Sequence, residues 1–316
     1  QAVIASARAL DMEVHISTQI NITNIETVKF YAMFADTIVL SRELSLRQVK
    51  KITEQIAKEN VCGPSGRLVE VEIFGHGALC MAVSGKCYLS LHNHNSSANR
   101  GACKQTCRKK YTVIDQETGV EMELDNEYIM SPKDLCTIDF LDQIVDAGVK
   151  VLKIEVRGRA PEDVAKVIKC YRDAIDSIDE VNYYKGKVIS WMRELEKVYN
   201  RGFWSGYYLG QLLGEWSKGS GSHATQKKVY LGKGMHYFPK AKIGEFKMEA
   251  YDLTLGDTVL IQGPTTGSQE MEITEMFIND LKGEKASKGD SITFPVDFRI
   301  RPSDKINNIV ENKVAV

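Results

Sequence analysis

The chain lacks several features that would place a protein in a simple functional class. Across its 316 residues no run of 18 apolar residues occurs, so the sequence predicts no membrane-spanning helix. The net charge is −1, so the overall charge gives no indication of nucleic-acid binding. The motif His-Glu-x-x-His and the pair Cys-x-x-Cys are both missing. A zinc peptidase of that type and a zinc knuckle are therefore not indicated.

The sequence also has no positively charged, apolar leader, and it opens with Gln1 rather than Met. We therefore expect the N-terminus of the natural protein to lie upstream of Gln1. The cysteine count is seven, an odd number without other signs of secretion. Because disulfides persist mainly in oxidising compartments, this pattern predicts a cytoplasmic protein.

Four of the seven cysteines lie within a stretch of 28 residues. This stretch, residues 80–107, is here called the cysteine segment. A strand-like run over residues 69–74 leads into it, and its glycine, serine and asparagine residues are typical of turns. Thiolates bind zinc, copper(I) or iron–sulfur clusters. A redox disulfide and ordinary buried cysteines are the alternatives. Because structural zinc sites mostly use Cys-x-x-Cys pairs, the spacing favours a cluster over zinc. The four cysteines are Cys80, Cys87, Cys103 and Cys107.

The start of this segment, EIFGHGALCMAVSGKCYLS, resembles the signature of the collagenase-like peptidase family U32. The matching residues are Glu72, Phe74, Gly77, Ala78, Leu79, Cys80, Ser84, Gly85, Cys87 and Ser90. Further similar segments lie at residues 99–101, 103–108, 131–135, 153–159 and 200–203, so the resemblance covers most of residues 12–210.

The resemblance implies a function. Several family members are similar to hydroxylases that hold an iron–sulfur cluster and act on transfer RNA, ribosomal RNA or ubiquinone precursors. By motif, the thiolates of a four-iron four-sulfur cluster map onto Cys80, Cys87, Cys103 and Cys107, with zinc as the alternative metal and Cys136 as a spare ligand. We expect an iron–sulfur-dependent enzyme that hydroxylates an RNA base, of the tRNA wobble uridine type. The alternative is a peptidase, a hydrolase acting on protein, as the family name implies.

Strand-like and helical patterns alternate over the first two thirds of the chain. The predicted strands are residues 14–20, 36–40, 69–74 and 150–156, and the predicted helices are residues 24–35, 45–59, 139–147, 161–178 and 181–199. Spacings of roughly 25–30 residues between the first strands indicate parallel βα units. The fold class is therefore α/β, and the resemblance implies a TIM-like (β/α) barrel that lacks its N-terminal units. A further segment or a partner subunit would complete that barrel.

Residues 217–226 are rich in glycine and serine and predict a linker. Before it, residues 1–216 would form the partial barrel, with a cysteine-rich insertion over residues 75–135 that includes a hairpin over residues 111–128. After it, residues 227–316 contain short alternating runs separated by turns. That pattern predicts a small C-terminal β-barrel domain.

Polar residues alternate along the first predicted strand. These are His15, Ser17, Gln19 and Asn21, whose side chains would share one face. Because that face of a parallel strand is usually apolar, the pattern favours a pocket lining, with a satisfied polar network in the core as the alternative.

Charged residues follow two other strands. Arg42 would hold a carboxylate or phosphate, unless it forms a surface ion pair with Glu43. Glu155 lies within a predicted strand, and its carboxylate would point into the barrel. It would pair with Arg157 or Arg159, and this pair would either serve the site or be a structural ion pair. We predict that Arg42, Glu155, Arg157 and Arg159, with His15, line the catalytic pocket.

The cysteine segment and the residues after it carry local positive charge despite the nearly neutral chain. A patch of this kind would contact RNA phosphates, and a solvated basic face is the alternative. The basic residues are Arg100, Lys104, Arg108, Lys109 and Lys110.

Overall fold

The structure is a computed structural model that describes residues 2–112, 114, 116–119, 128–156, 158–219 and 221–312. Most of the hairpin predicted over residues 111–128 lies outside the described residues, as does Arg157. No helix in the described ranges is both long enough and apolar enough to cross a membrane.

The chain is a mixed α/β structure that forms two compact units. The first comprises Gln1–Gly158, Cys170–Met192 and Asn200–His223, and the second comprises Arg159–Lys169, Arg193–Tyr199 and Ala224–Val316. The helices are α1 (Ala2–Ala9), α2 (Ile25–Ala32), α3 (Leu46–Lys58), α4 (Leu89–His94), α5 (Leu141–Asp146), α6 (Pro161–Asp179) and α7 (Lys185–Lys197).

The strands fall into two groups along the chain. Those of the first unit are β1 (His15–Ile16), β2 (Thr37–Val39), β3 (Glu70–Gly77), β4 (Asp134–Cys136), β5 (Val151–Glu155) and β6 (Phe203–Trp204). Those of the second unit are β7 (Gln226–Phe238), β8 (Ile243–Met248), β9 (Leu253–Thr254), β10 (Thr258–Gly263), β11 (Gly267–Glu272), β12 (Phe277–Ile278), β13 (Leu281–Lys282), β14 (Lys285–Ala286), β15 (Ser291–Pro295) and β16 (Lys305–Glu311).

Strand β3 is the centre of the first sheet. It pairs in parallel with β2 and with β5, and β1 pairs in parallel with β2. At its carboxyl end β3 also pairs with β4, which runs antiparallel and places His76 opposite Cys136 and Gly77 opposite Leu135. Over the described residues the pairing order runs from β1 to β6 without closing. The TIM-like barrel predicted from the family is therefore not confirmed, and the observed sheet is mixed rather than all-parallel.

Local sequence accounts for the helix that packs beside this sheet. The backbone N–H of Ser45 donates to Gln48 Oε1 at 2.9 Å, which satisfies a free donor at the start of α3. Val49, Ile52 and Ile56 recur at helical spacing and are almost fully buried. The prediction of a helix capped by Ser45 is confirmed.

The strand predicted over residues 14–20 is wrong beyond Ile16. Ser17 Oγ accepts a hydrogen bond from the Gln19 N–H at 3.4 Å, and Asn21 adopts a left-handed conformation with φ of 58°. The chain therefore forms a 3₁₀ turn over Thr18–Ile20. Short polar side chains that bond to their own backbone compete with the strand, so these residues do not share one strand face.

The second unit is built on an antiparallel sheet of eight strands. Their order is β11-β10-β16-β7-β8-β15-β12-β13, and β9 pairs separately with β14. Its apolar core includes Phe246 and Phe294, whose rings stack with centroids 4.8 Å apart. The all-β character predicted for this region is seen, but within the described residues the pairing order does not close into a barrel.

Candidate functional site

Four parallel strands of the first unit end at one cavity. Thr18 lies just after β1, Arg42 after β2 and Ala78 after β3, while Glu155 is the last residue of β5. All four residues line the cavity, whose volume is about 420 Å³. That volume is typical of a small-molecule or cofactor site. The carboxyl ends of parallel strands are also the usual position of functional sites in α/β proteins.

All four cysteines of the cysteine segment line this cavity. Each is a free thiol; Cys80 and Cys103 are exposed, and Cys87 and Cys107 are half-buried. Burial raises the pKa of the Cys107 thiol above its ordinary value, and the other three thiols add to this, while Arg108 opposes it. The four thiols therefore line one cavity and interact electrostatically with one another there.

Two donors face the sulfur of Cys103. The backbone N–H of Gln105 lies 3.3 Å from Sγ and the Ser90 hydroxyl lies 3.8 Å from it. Ser90 is itself buried and accepts from the Lys104 N–H at 2.9 Å. Donors to the sulfur ligands tune the reduction potential of iron–sulfur clusters.

The donor set can be compared with the two metal groups that the sequence suggests. No group of three or more His, Cys, Asp or Glu side chains is arranged to hold a metal ion, over the residues the structure describes. A zinc ion needs all its sulfur ligands at about 2.3 Å. In a four-iron cluster each of the four thiolates binds a different iron, so the ligands stand further apart. Four free thiols around one cavity supply the number and kind of ligands that a four-iron cluster needs, and the choice of cluster over zinc stays a prediction.

Arg108 fixes the end of the cysteine segment. Its guanidinium donates to the carbonyl of Leu79 at 2.6 Å, to Ser131 Oγ at 3.0 Å and to the carbonyl of Pro132 at 2.5 Å. Burial lowers the pKa of Arg108, and Arg201 lowers it further. Arg108 is therefore not part of a solvated basic face, unlike the exposed Arg100. Of the predicted RNA-binding patch, the exposed members are Arg100, Lys104, Lys109 and Lys110.

Arg42 forms part of the cavity wall. One of its terminal nitrogens donates to Ser84 Oγ at 2.6 Å, and its guanidinium carbon lies 5.4 Å from the centroid of the Phe74 ring. Glu43, the alternative partner for Arg42, accepts a hydrogen bond from the Ser41 hydroxyl instead. Arg42 therefore lies in the wall of the cavity, and its catalytic role stays a prediction.

Glu155 reaches the same cavity through a close approach of two strands. The Ala78 N–H donates to the Glu155 carbonyl at 3.2 Å, and a Cβ on Gly77 would lie 2.0 Å from that oxygen. Gly77 also has a φ of +106°, which other residues rarely adopt. Only glycine therefore lets β3 turn into the cysteine segment beside β5.

The model of peptidase family U32 matches residues 1–218, more than two thirds of the chain. The chain belongs to peptidase family U32. The recognition made from the cysteine signature is confirmed.

Curated relatives of this U32 protein have names of two kinds. A protein named collagenase from Porphyromonas gingivalis is 52% identical over 305 residues, covering 96% of this chain and 74% of the relative. The tRNA hydroxylation protein P1 of Bacillus subtilis is 34% identical over 311 residues, covering 94% and 69% respectively. A 23S rRNA 5-hydroxycytidine synthase of Escherichia coli is 31% identical over 268 residues, covering 77% and 39%. Family membership is thus compatible with protein and RNA substrates.

Other predicted site residues of the U32 protein lie elsewhere. The side chain of His15 is about half exposed, lies 3.4 Å from Glu13 and 3.7 Å from Glu72, and does not line the cavity. His15 is the first residue of β1, whereas the cavity is lined by Thr18 and Gln19, which follow that strand. Arg159 stacks on the ring of Tyr199 at 3.7 Å and is also not among the lining residues. Arg157 lies outside the described residues.

Cys136, the spare ligand suggested by the sequence, is buried on β4. Burial raises the pKa of its thiol to about 12. Its sulfur lies 3.7 Å from Met192 Sδ and 3.8 Å from the Tyr171 hydroxyl, and it does not line the cavity. The structure therefore does not bring Cys136 to the other four thiols.

Sequence reasoning missed several residues of the site. Thr18 and Thr106 line the cavity and are nearly buried, although only the position of Thr106 beside Cys107 could have suggested it. Asp134 and Arg201, which do not line the cavity, lie in two of the family-like segments noted in the sequence and form an ion pair of 3.1 Å in which both side chains are nearly buried. This pair joins β4 to the residues before β6.

Proposed function

We propose that this protein is an iron–sulfur-dependent enzyme that hydroxylates a base of RNA, with the wobble uridine of tRNA as the favoured target. The observation that carries the proposal is that four free thiols, Arg42 and Glu155 line one cavity at the carboxyl ends of parallel strands. Relatives named for tRNA hydroxylation and for rRNA hydroxycytidine synthesis support RNA as the substrate class.

The four cysteines of the cysteine segment would hold a four-iron four-sulfur cluster. When bound, such a cluster supplies electron transfer or activation of a bound substrate. The N–H of Gln105 and the hydroxyl of Ser90 would donate to the Cys103 sulfur of the bound cluster. Burial raises the pKa of the Cys107 thiol and Arg108 offsets part of this, so iron would have to displace the proton of that thiol on binding.

Arg42 and Glu155 would act on the substrate. Arg42 is held by Ser84, so its positive charge is fixed in the cavity wall and can orient a carbonyl or phosphate oxygen. Glu155 would accept the proton that the base loses as its C–H bond is replaced by a C–O bond, while a separate oxygen-donor substrate supplies the oxygen atom and takes up the two electrons. Arg157, the partner predicted for Glu155, stays a prediction.

Nucleoside analysis of cellular RNA tests the proposal. In a strain that lacks the gene, mass spectrometry should find one nucleoside lighter by one oxygen atom, and the wild-type gene should restore it. Glu155→Gln should bind iron normally and fail to restore it, whereas Glu54→Gln, at an exposed position of α3, should restore it. An unchanged set of nucleosides in the deletion strain would refute the proposed activity.

A peptidase is the second candidate, and the relative named collagenase favours it. Ser84 and Cys80 could supply a nucleophile, but none of the described residues that line the cavity is a histidine. A serine or cysteine peptidase usually needs such a base beside its nucleophile. Digestion of gelatin by the purified protein, abolished in Ser84→Ala or Cys80→Ala, would favour the peptidase over the hydroxylase.

A further inference from the structure

Acidic residues are missing from the part of the chain that carries the four thiols. Asp and Glu make up 42 of the 316 residues, yet residues 73–114 contain none. The same range contains six lysine and arginine residues. Two of these have partners, because Arg108 is bonded in the cavity wall and Lys110 lies over the ring of Tyr128 at 5.8 Å. The positive charge of the other four is not offset within the range, which favours a partner with many negative charges.

These four cations lie at the rim of the thiol-lined cavity. Lys86, Lys104 and Lys109 are each bonded in the chain to residues that line it. Arg100 lies two positions after Ala98, which also lines it. Because consecutive Cα atoms are about 3.8 Å apart, all four side chains begin close to the cavity wall. All four are exposed, and none forms an ion pair with any described residue. They are here called the rim cations.

An exposed aromatic ring lies among the rim cations. Tyr88 is 72% exposed, and both of its neighbours, Cys87 and Leu89, line the cavity. Its ring contacts no aromatic ring or cation among the described residues. Proteins that bind single-stranded nucleic acid combine these two features, since their cations contact the phosphates and their aromatic rings stack on the bases.

We propose that the rim cations and Tyr88 bind a single-stranded stretch of RNA, with phosphates on the four cations and one base stacked on the Tyr88 ring. This inference rests on the proposed function, in which RNA is the substrate, and adds the surface that would hold the RNA around the reacting base. The bases of a duplex are stacked on one another and cannot reach Tyr88. An unpaired loop is therefore the part of an RNA that this surface selects.

The exposed ring favours RNA over other uses of the charge. An acidic protein segment would match the rim cations, but it does not supply a flat ring with each negative charge, as every nucleotide does. The rim cations could also offset the negative charge of the thiolates that hold the cluster. That role does not need an exposed ring at Tyr88.

The salt dependence of binding tests the rim cations. The whole chain, purified anaerobically, is titrated into a fluorescent single-stranded RNA of roughly 12 nucleotides, a length that such surfaces cover. Affinity falls with salt because bound phosphates release counterions, with a logarithmic slope of about −0.7 per phosphate for single strands. A variant with glutamine at all four rim cations should therefore have a slope shallower by about 3. Its melting temperature should not change, since the four side chains are exposed and unpaired.

A matched control removes three lysines and one arginine elsewhere in the first unit. All four are exposed, and none is next to a residue that lines the cavity. Glutamine at these positions lowers the net charge by the same amount. The control should keep the slope of the wild type, because its charges are not at the rim. The four residues are Lys51, Lys58, Arg67 and Lys150.

Substitutions of Tyr88 test the stacking contact. Tyr88→Ala should bind the same RNA roughly 5- to 150-fold more weakly, the loss that follows when one base loses its aromatic partner. Tyr88→Phe keeps the ring and should bind as the wild type does. The salt slope should stay the same in both variants, because no phosphate contact is lost. Tyr184→Ala, at a tyrosine that is 56% exposed in the same unit, is the matched control.

Several results would overturn the proposed surface. It fails if the RNA annealed to its complement binds as tightly as the single strand, if Tyr88→Ala keeps its affinity, or if the variant without rim cations keeps its slope. Poly-glutamate that displaces the RNA as well as unlabelled RNA does would assign the surface to an acidic protein. An unchanged slope with a loss of bound iron would assign the rim cations to the cluster. Each of the two assignments would replace the one proposed.

These measurements record binding and are separate from the proposed function, which fails when no nucleoside gains an oxygen. The expected binding pattern without hydroxylation would keep the surface and refute the activity. Hydroxylation with RNA binding that does not depend on the rim cations or Tyr88 would do the reverse.

Discussion

Arg108 donates a 2.6 Å hydrogen bond to the carbonyl of Leu79, so the last turn of the cysteine segment is tied to the residue that precedes its first cysteine. The two residues are 29 positions apart in the chain. Both also line the cavity. The shape of the thiol-lined cavity therefore depends on the half-buried guanidinium of Arg108 as well as on the four cysteines.

Replacing Arg108 with lysine should destabilise the protein. Lysine keeps the charge but cannot reach Leu79, Ser131 and Pro132 together, so buried acceptors would lose their donor. We expect the free energy of unfolding in urea to fall by about 2–4 kcal/mol. Arg100→Lys, at an exposed position, should change it by less than about 0.5 kcal/mol. Equal stability of the two variants would contradict a structural role for Arg108.

Replacing Gly77 with alanine should be more damaging than the same change at Gly66. Both residues have positive φ, but a Cβ at Gly66 meets no atom within 4 Å, whereas one at Gly77 would overlap the carbonyl of Glu155. Gly66→Ala should therefore cost only about 1–2 kcal/mol, the penalty of the left-handed conformation. Gly77→Ala should cost clearly more or prevent folding, as urea unfolding would show. Similar losses in both variants would mean that β3 and β5 can separate at this point.

Replacing Cys87 with alanine should abolish cluster binding. Three thiolates leave one iron open to solvent, so iron content per chain and visible absorbance after anaerobic reconstitution should fall to background. Cys62→Ala is the matched control, because Cys62 is half-buried in the same unit but does not line the cavity. It should load iron as the wild type does. Full iron loading of Cys87→Ala would remove this residue from the ligand set.

Alkaline pH should weaken the fold through Tyr183. Its hydroxyl donates to the Ile138 carbonyl and accepts from the Leu141 N–H, and burial raises its pKa from the ordinary 10 to about 12. A folded-state pKa above the unfolded value means that the folded protein holds this proton more tightly. The stabilisation is therefore fully present below pH 10 and is lost as the pH rises through about 12.

Urea unfolding at successive pH values measures this loss. The free energy of unfolding should fall between about pH 10 and pH 12 in the wild type, and it should fall less in Tyr183→Phe, which has no proton to lose. Tyr184→Phe, at the exposed neighbouring position, should follow the wild type. Identical profiles for Tyr183→Phe and the wild type would refute the assignment.

Local patterns made much of the first unit predictable. Ser45 and Gln48 mark the start of α3, and the buried positions Val49 and Ile52 recur at helical spacing. The parallel strands over residues 36–40, 69–74 and 150–156 were also predictable, because short apolar runs bounded by turns are typical of buried strands. Placing Arg42 and Glu155 at one site followed from these strands, since the carboxyl ends of parallel strands meet at one edge.

Other features depend on interactions that a local pattern does not record. The alternation of Ser17 and Gln19 is typical of a strand, yet a side-chain hydrogen bond turns the chain there. Strand β4 has three residues, and its partner Gly77 lies more than fifty residues earlier, so nothing nearby identifies it. The position of Cys136 follows from β4 and was missed with it. Barrel closure is the least local property of all, because it is decided by which distant strand edges meet.

The antiparallel pairing of β3 with β4 has a consequence for how this family can vary. The chain leaves the sheet after Gly77 and returns at Leu135, which is hydrogen-bonded beside it, so the intervening stretch has its two ends anchored next to each other. A long loop closed in this way adds little entropic cost when it lengthens or shortens. Related chains could therefore replace, lengthen or shorten the cysteine-bearing stretch while the sheet that carries it stays the same.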